Sequence, residues 1–211
     1  MNNKKLEEFL AISPVVPVVV IDDAEDALPL AKALLEGGIR IIEITLRTSA
    51  ALDAIKIIAN ELPEICVGAG TVNSVNAIQN AANAGAKFLV SPGATKTLLD
   101  SAHYHDVPLL PGAITPSEAM TLQEQGYTIL KFFPAEAAGG TKMLKSLSGP
   151  LPDIKFCPTG GINASNIKEY LTIKNVICAG SSWITESDLI KNKNWSEITR
   201  RAREVLAMLE K

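Results

Sequence analysis

The chain has 211 residues, with 20 Lys and Arg against 23 Asp and Glu, and the charges are well mixed around a net of −3. The absence of a basic block and an aromatic content of 5% argue against nucleic acid as a partner, by charge and by stacking surface. No run approaches the ~20 apolar residues of a membrane span, so no membrane partner is expected and small anions held locally are the expected ligands.

The start, Met1 to Glu8, follows its lysines with two acids and reaches Pro14 before any long apolar run. A secretory leader needs an uninterrupted apolar core of ~7–15 residues, so a cytoplasmic protein is expected. Residues 3–12 read as a short amphipathic helix with Leu6, Phe9 and Leu10 on one face. The apolar run Val15 to Ile21 reads as a strand buried on both sides, the mark of a parallel sheet. Asp22 and Asp23 offer an N-cap to a helix running to Glu36, and Gly37-Gly38 closes it. A strand over Ile41–Leu46, a helix over Ser49–Asn60 and a strand over Ile65–Gly70 follow. Further strands are predicted near 88–91, 108–112, 128–133, 154–157 and 175–179. They alternate with helices near 74–84, 95–104, 116–125, 140–147, 163–171 and 196–210. Thr115-Pro116-Ser117-Glu118 has the form of a capping box with proline at the first helical position. Cys66, Cys157 and Cys178 fall in strand-like runs; their odd number and spacing fit reduced core residues and no zinc or redox pair.

These elements make eight strand–helix units. Sequential parallel strands with right-handed crossovers close into a (β/α)8 TIM barrel at that number, expected here as one domain over residues 1–211 with a short N-terminal helix. An open doubly wound sheet is the alternative, but its glycine fingerprint usually follows the first strand alone. Here small residues follow nearly every strand, as in Gly-Ala-Gly-Thr71, Ser-Pro-Gly93 and Thr-Gly-Gly161. In a barrel, chemistry gathers at the C-terminal ends of the strands.

One lysine stands out. Lys131 sits in the apolar run Ile129-Leu-Lys-Phe-Phe-Pro-Ala-Glu136, where lysine is rarely buried without a partner. A desolvated, neutral lysine amine is the nucleophile of Schiff-base chemistry. The bland alternative is a strand-end lysine reaching for water. Strand alternation puts Glu43, Thr45 and Arg47 on one face of the second strand, opposite Ile42, Ile44 and Leu46. Glu43 and Arg47 are ~13 Å apart along a strand and too far to pair, so Glu43 is expected at the barrel centre and Arg47 at its mouth. The same parity turns Lys131 and Phe133 inward, toward Glu43. An amine nucleophile and a proton-shuttling carboxyl are the composition a Schiff-base enzyme requires.

The segments Gly38-Ile-Arg-Ile-Ile-Glu-Ile-Thr-Leu-Arg47 and Gly126-Tyr-Thr-Ile-Leu-Lys-Phe-Phe-Pro-Ala135 resemble the two signature segments of the 2-keto-3-deoxy-6-phosphogluconate (KDPG) and 4-hydroxy-2-oxoglutarate (KHG) aldolase family. The likeness extends through Val67-Gly-Ala-Gly-Thr71, Ser91-Pro-Gly93, Pro111-Gly112 and Cys157-Pro-Thr-Gly-Gly161. It implies a class I aldolase of Entner–Doudoroff type sugar-acid catabolism that uses no metal or dissociable cofactor, and a homotrimer. By this resemblance Lys131 forms the Schiff base and Glu43 transfers protons. Arg47 and Thr71 hold the pyruvyl carboxylate, and Pro92 and Phe133 shape the pocket.

The loops after the seventh and eighth strands of such barrels recurrently bind phosphate, which nominates Thr159, Gly160, Gly161, Gly180, Ser181 and Ser182. Glycines that merely make tight turns are the competing reading. The family usually shows Gly-Gly-Ser-Trp where this chain has Gly180-Ser181-Ser182-Trp183, so a positive φ at the second position would strain Ser181. His103 and His105 read as surface residues with no third metal ligand. Glu136 is either a support for the site or an exposed loop carboxylate. Trp183 and Trp195 read as packing groups, and Arg200, Arg201 and Arg203 as a solvated helix face. A phosphate-binding isomerase or epimerase, and a non-catalytic sugar-phosphate-binding protein, are the rival functions.

Overall fold

In the computed structural model, which describes residues 3–209, helices and strands alternate along the chain. Helix α1 (Asn3–Leu10) is followed by β1 (Val15–Val19), α2 (Ala27–Glu36), β2 (Ile41–Thr45), α3 (Ala51–Glu61), β3 (Cys66–Gly70), α4 (Val75–Asn83), β4 (Leu89–Val90) and α5 (Lys96–His103). Then come β5 (Leu109–Leu110), β6 (Gly112–Ala113), α6 (Pro116–Glu124), β7 (Ile129–Phe132), α7 (Gly140–Ser148), β8 (Lys155–Pro158), α8 (Ile167–Leu171), β9 (Ala179–Ser181), α9 (Ser187–Lys191) and α10 (Trp195–Leu209).

All strand pairs are parallel. Six strands, in the order β5-β4-β3-β2-β1-β9, form half a barrel, and β6-β7-β8 form a second, smaller sheet. The strand predicted at 108–112 is divided at Pro111, which has no N–H to give a ladder. Before it the chain pairs with β4, and after it with β7. At the other side, isolated parallel bridges Phe156–Val176 and Thr159–Gly180 link β8 to the chain around β9.

The last predicted strand, 175–179, is displaced to Ala179–Ser181. Residues 173–176 close a turn instead, with Val176 N–H on Ile173 O at 2.9 Å, and pairing with β1 begins only at Val15–Ala179. The helix predicted from 163 starts at Ile167 because the Asn163 and Asn166 side chains bond to backbone N–H groups of the preceding loop. Asp23 caps a 3-10 turn, Ala24–Asp26, ahead of α2. The 3-10 turn Trp183–Thr185 and helix α9 had no counterpart in the predicted elements.

The apolar strand runs are buried on both sides, β2 along its whole length. Cys157 and Cys178 are buried neighbours with sulfurs 3.4 Å apart, Cys66 is half-buried, and all three are free thiols. The hydrogen bond to Cys157, together with burial, holds the Cys178 thiol well above its ordinary pKa, and burial pushes Cys66 up to about 12. Among the described residues no helix is long and apolar enough to cross a membrane.

The arginines of α10 divide. Arg200 and Arg203 lie on the exposed face, but Arg201 does not. Its side chain is 16% exposed, bonds to Glu186 Oε2 at 2.9 Å and to Trp183 O at 2.6 Å, and stacks 5.3 Å from the Trp183 ring. It ties the closing helix to the loop after β9.

The α6 capping box is complete. Thr115 Oγ1 accepts from Glu118 N–H at 3.3 Å, and Glu118 Oε2 accepts from Thr115 N–H at 2.8 Å and Ile114 N–H at 2.9 Å. Burial alone would raise the Glu118 pKa, but these N–H groups and the Thr115 hydroxyl outweigh it and hold the carboxyl below its usual value. Thr115→Ala is expected to destabilise the fold by about 1 kcal/mol at neutral pH, read as a lower urea midpoint at unchanged slope. A depressed folded-state pKa contributes stability above the unfolded value and loses it as pH falls through the folded one. The penalty of Thr115→Ala is therefore expected to shrink in acid.

Candidate active site

The candidate residues sit within the strands, as Glu43 and Lys131 do, or in the loops that follow the strands' C-terminal ends, as Arg47 and Gly160 do. β7 is the middle strand of its sheet: Lys131 pairs in register with Gly112 on one side and Cys157 on the other, and its N–H bonds to Pro111 O at 2.9 Å. Backbone alternation then fixes where the side chain goes. Lys131 is 7% exposed and Glu43, from β2 in the other sheet, is 4% exposed. Lys131 Nζ lies 3.6 Å from Glu43 Oε1 and 5.2 Å from the centre of the Phe133 ring. The bland alternative of a lysine reaching into solvent is therefore not what the fold adopts.

Glu43 has room because Gly70 faces it. A Cβ on Gly70 would stand 1.9 Å from Glu43 Oε1, a separation no side chain tolerates. Thr45, two residues along β2, is fully buried and donates to Val19 O at 2.8 Å. Arg47 is exposed at the strand's end, with Nε 3.3 Å from Thr71 Oγ1. The expected separation of Glu43 at depth and Arg47 at the rim is thus observed.

A cleft of about 720 Å³ opens over this pair. Lys131, Arg47, Phe133, Thr159, Gly160, Gly161, Gly180, Ser181 and Ser182 line it, so most of the residues singled out in the sequence meet in one place. Thr71 reaches it through Arg47. Pro92 stands outside the lining; its backbone packs against Gly112, the neighbour of Lys131, where a Cβ would lie 2.3 Å from the Pro92 carbonyl carbon. A smaller cleft of about 200 Å³ lies beside Asn3, His103 and Tyr127, near the N-terminal ends of the strands.

The glycines of the cleft serve different ends. Gly160 and Gly161 have φ of 101° and 78°, in the left-handed region that glycine adopts without strain. Among the described residues, the N–H groups of Gly161 and Ile162 donate to no protein oxygen, so two neighbouring donors are open to an anion. Gly180 is extended within β9, and its lack of a side chain makes room for Thr159, whose Oγ1 would be 2.4 Å from a Cβ there.

Ser181 is not strained. It lies in β9, outside the positive-φ residues, and is 3% exposed. Its hydroxyl donates to Ile162 O at 2.7 Å and accepts from Trp183 N–H at 3.2 Å. The departure from Gly-Gly-Ser-Trp thus adds a tie between the two loops.

The sequence reading missed other lining residues: Val18 and Val20 from β1 and its end, Asn163 and Ser165, and Trp183 with Glu186. Trp183 packs, as expected, but against Arg201 and at the cleft wall. Its place directly after the Gly-Ser-Ser run was the available signal. His103 is exposed, with Nδ1 2.7 Å from Leu99 O, and the described residues hold no group of three or more His, Cys, Asp or Glu able to ligate a metal.

A family model described as "Aldolase: KDPG and KHG aldolase" matches residues 6–201. The 2-dehydro-3-deoxy-phosphogluconate aldolase of Pseudoalteromonas atlantica is 49% identical over 201 residues, covering 95% of this chain and 94% of that protein. The KHG/KDPG aldolase of Escherichia coli is 46% identical over 200 residues, covering 95% and 94%. The crystal structure of KDPG aldolase from Legionella pneumophila, with pyruvate captured at low pH as a covalent carbinolamine intermediate, matches with a TM-score of 0.92. The identity there is 49%, over 94% of this chain and 97% of that one. With a lysine and a carboxylate buried together beneath its cleft, the chain belongs to the KDPG and KHG aldolase family.

Proposed function

We propose that the chain is a class I aldolase that reversibly cleaves 2-keto-3-deoxy-6-phosphogluconate to pyruvate and glyceraldehyde 3-phosphate. The observation that carries this reading is the buried Lys131–Glu43 pair, with Nζ and Oε1 3.6 Å apart. The relatives named above support it, and the KHG/KDPG aldolase of Escherichia coli supports 4-hydroxy-2-oxoglutarate as a second substrate.

In this mechanism the neutral Lys131 amine adds to the C2 ketone to give a carbinolamine. Glu43 supplies the proton that lets water leave, and an iminium forms. Glu43, through a water, takes the proton from the C4 hydroxyl as the C3–C4 bond breaks. The bonding pair flows into the iminium, leaving an enamine of pyruvate, and the aldehyde departs with the phosphate. Proton return to C3 and addition of water release pyruvate and restore the amine. Water is neither gained nor lost over the cycle.

Arg47, joined to Thr71, offers a guanidinium at the rim for the C1 carboxylate. Phe133 packs beside the amine, and Pro92 steadies the strand next to it from behind. Thr159, Gly160, Gly161 and Ile162, with Gly180, Ser181 and Ser182 opposite, form the end that receives the phosphate. Open N–H donors on glycines suit a dianion that must be approached by backbone. An acid/base isomerase would have use for such a phosphate end but none for the buried amine.

We further propose that the two sheets are arcs of one closed (β/α)8 barrel forming a single domain over residues 1–211. The β8–β9 bridges, and the continuity of β5 with β6 through Pro111, support the closure. The family resemblance supports a cytoplasmic homotrimer. A light-scattering mass close to three times the 22.5 kDa of the chain is expected.

Borohydride reduction in the presence of pyruvate is expected to add one reduced pyruvyl group, mapped by peptide mass to Lys131. Lys131→Met is expected to abolish both the adduct and turnover in a coupled pyruvate assay while leaving the circular dichroism unchanged. An adduct on another lysine, or turnover by Lys131→Met, would falsify the assignment. Gly70→Ala tests the carboxylate without touching it. The added methyl must displace Glu43, so turnover is expected to fall about 100-fold, the scale set by a misplacement of about 1 Å.

A further inference from the structure

Glu136 is exposed and unused by the steps above, yet several contacts hold it. It follows the lysine strand by a few residues, and its chain runs against the loop that receives the phosphate. Ala135 N–H donates to Thr159 O at 2.8 Å, and Glu136 N–H to Gly160 O at 3.1 Å. Its side chain lies flat on Gly161, where a Cβ would stand 2.6 Å from Glu136 Cγ. The carboxylate end accepts a hydrogen bond from the Tyr170 hydroxyl. Gly140 lies against this contact: a Cβ there would be 3.1 Å from Glu136 Oε1 and 3.2 Å from the Tyr170 oxygen.

Tyr170 is fully buried in α8, so its hydroxyl is a fixed point. The same helix start holds the loop a second way, because Asn166 Nδ2 donates to Gly161 O at 3.0 Å. A peptide plane has its C=O and N–H on opposite sides. Tying the Gly161 carbonyl to α8 therefore turns the Ile162 N–H the other way. The two left-handed glycines make this turn possible but also floppy, and something outside them has to choose its orientation.

Charge poses a second problem. A carboxylate near a phosphate dianion opposes binding; Glu136 is not among the residues lining the cleft, and its carboxylate is turned toward α8. The Tyr170 hydroxyl meets it there as a neutral donor: burial, then the Glu136 contact, raise its pKa far above the working range.

From these contacts we infer that Glu136 and Tyr170 form a latch, a pair of positioning residues that sets the Gly160–Gly161 turn and thereby the affinity for the phosphorylated end of the substrate. The inference rests on the phosphate end assigned under the proposed function. It separates the latch from the lysine chemistry, because neither residue touches the Lys131–Glu43 pair.

The test compares wild type with Tyr170→Phe, Glu136→Ala and Glu136→Gln in three measurements. These are kcat and KM for the phosphorylated substrate, inhibition by inorganic phosphate, and the rate of borohydride trapping of pyruvate, which has no phosphate. Loss of one hydrogen bond to an ionised group is expected to raise KM and the phosphate inhibition constant about tenfold in Tyr170→Phe and Glu136→Ala. Their kcat and pyruvate trapping are expected to stay within about twofold of wild type on the same reasoning, because the loop carries no reacting group. Glu136→Gln keeps the stem and an acceptor oxygen, and is expected to recover most of the affinity. Trapping that slows in proportion as KM rises would mean general loosening and overturn the latch, as would unchanged KM and inhibition constants. Wild type that is trapped by pyruvate but indifferent to phosphate would overturn the assignment of the phosphate end, and the latch with it.

Discussion

A lysine and a glutamate share the buried space between the sheets, and much else in the structure is arranged around them. Taking a carboxylate and an ammonium out of water costs several kcal/mol per ion, and mutual attraction returns that only with good geometry. A pair built for stability alone would close to ~2.7–2.9 Å with its hydrogen bonds shared. Here the separation is 3.6 Å, and the amine also faces the Phe133 ring and the open cleft. At that distance the two groups are not hydrogen-bonded, so the nitrogen is free to bond elsewhere. A proton passes between them only after a small closure or through one water. A pair that is weak as a staple is useful as a reagent.

The fold supplies this looseness by rigid means. Lys131 stands on a strand bonded on both sides, and Glu43 on a strand flanked by β1 and β3. Their approach is set by absences: Gly70 leaves the space the carboxylate occupies. Beneath them the Cys157 and Cys178 thiols, their sulfurs in contact, are small and polarizable fillers. The elements that position the chemistry are therefore strands paired on both sides, which suits a near-attack geometry.

Much of this was legible in the sequence, and the reason is periodicity. Apolar runs marked the strands, and a two-residue repeat was enough to turn Glu43 and Lys131 to the same side. The Thr-Pro-Ser-Glu motif gave the start of α6, because a capping box is a local device. What the sequence hid depends on which elements become neighbours. That Gly70 faces Glu43 and Gly180 faces Thr159 follows from cross-strand register, which no local pattern records. Helical periodicity put Arg201 outside the core but could not say that the loop after β9 would fold over it. Ser181 raised a question of strain that only the backbone could answer: the residue is extended, and its hydroxyl joins two loops. The shift of the last strand has the same origin, since pairing with β1 fixed its start.

The two ends of the cleft are therefore supported differently. The amine and carboxylate stand on strands, but the end proposed for the phosphate is made of loops, and loops need outside holds. Arg201 grips the Trp183–Glu186 segment from α10, Ser181 joins it to Ile162, and α8 holds Gly161 through Asn166 and, by way of Tyr170, Glu136. None of these contacts includes Lys131. In such an arrangement the lysine half is complete when no phosphate is present. A keto acid without a phosphate can meet the same nucleophile and the same carboxylate, losing only the binding contributed by the loops. On the proposed assignment of the phosphate end, breadth of substrate follows from the architecture, and selectivity for the phosphorylated acid follows from how firmly the loops are held.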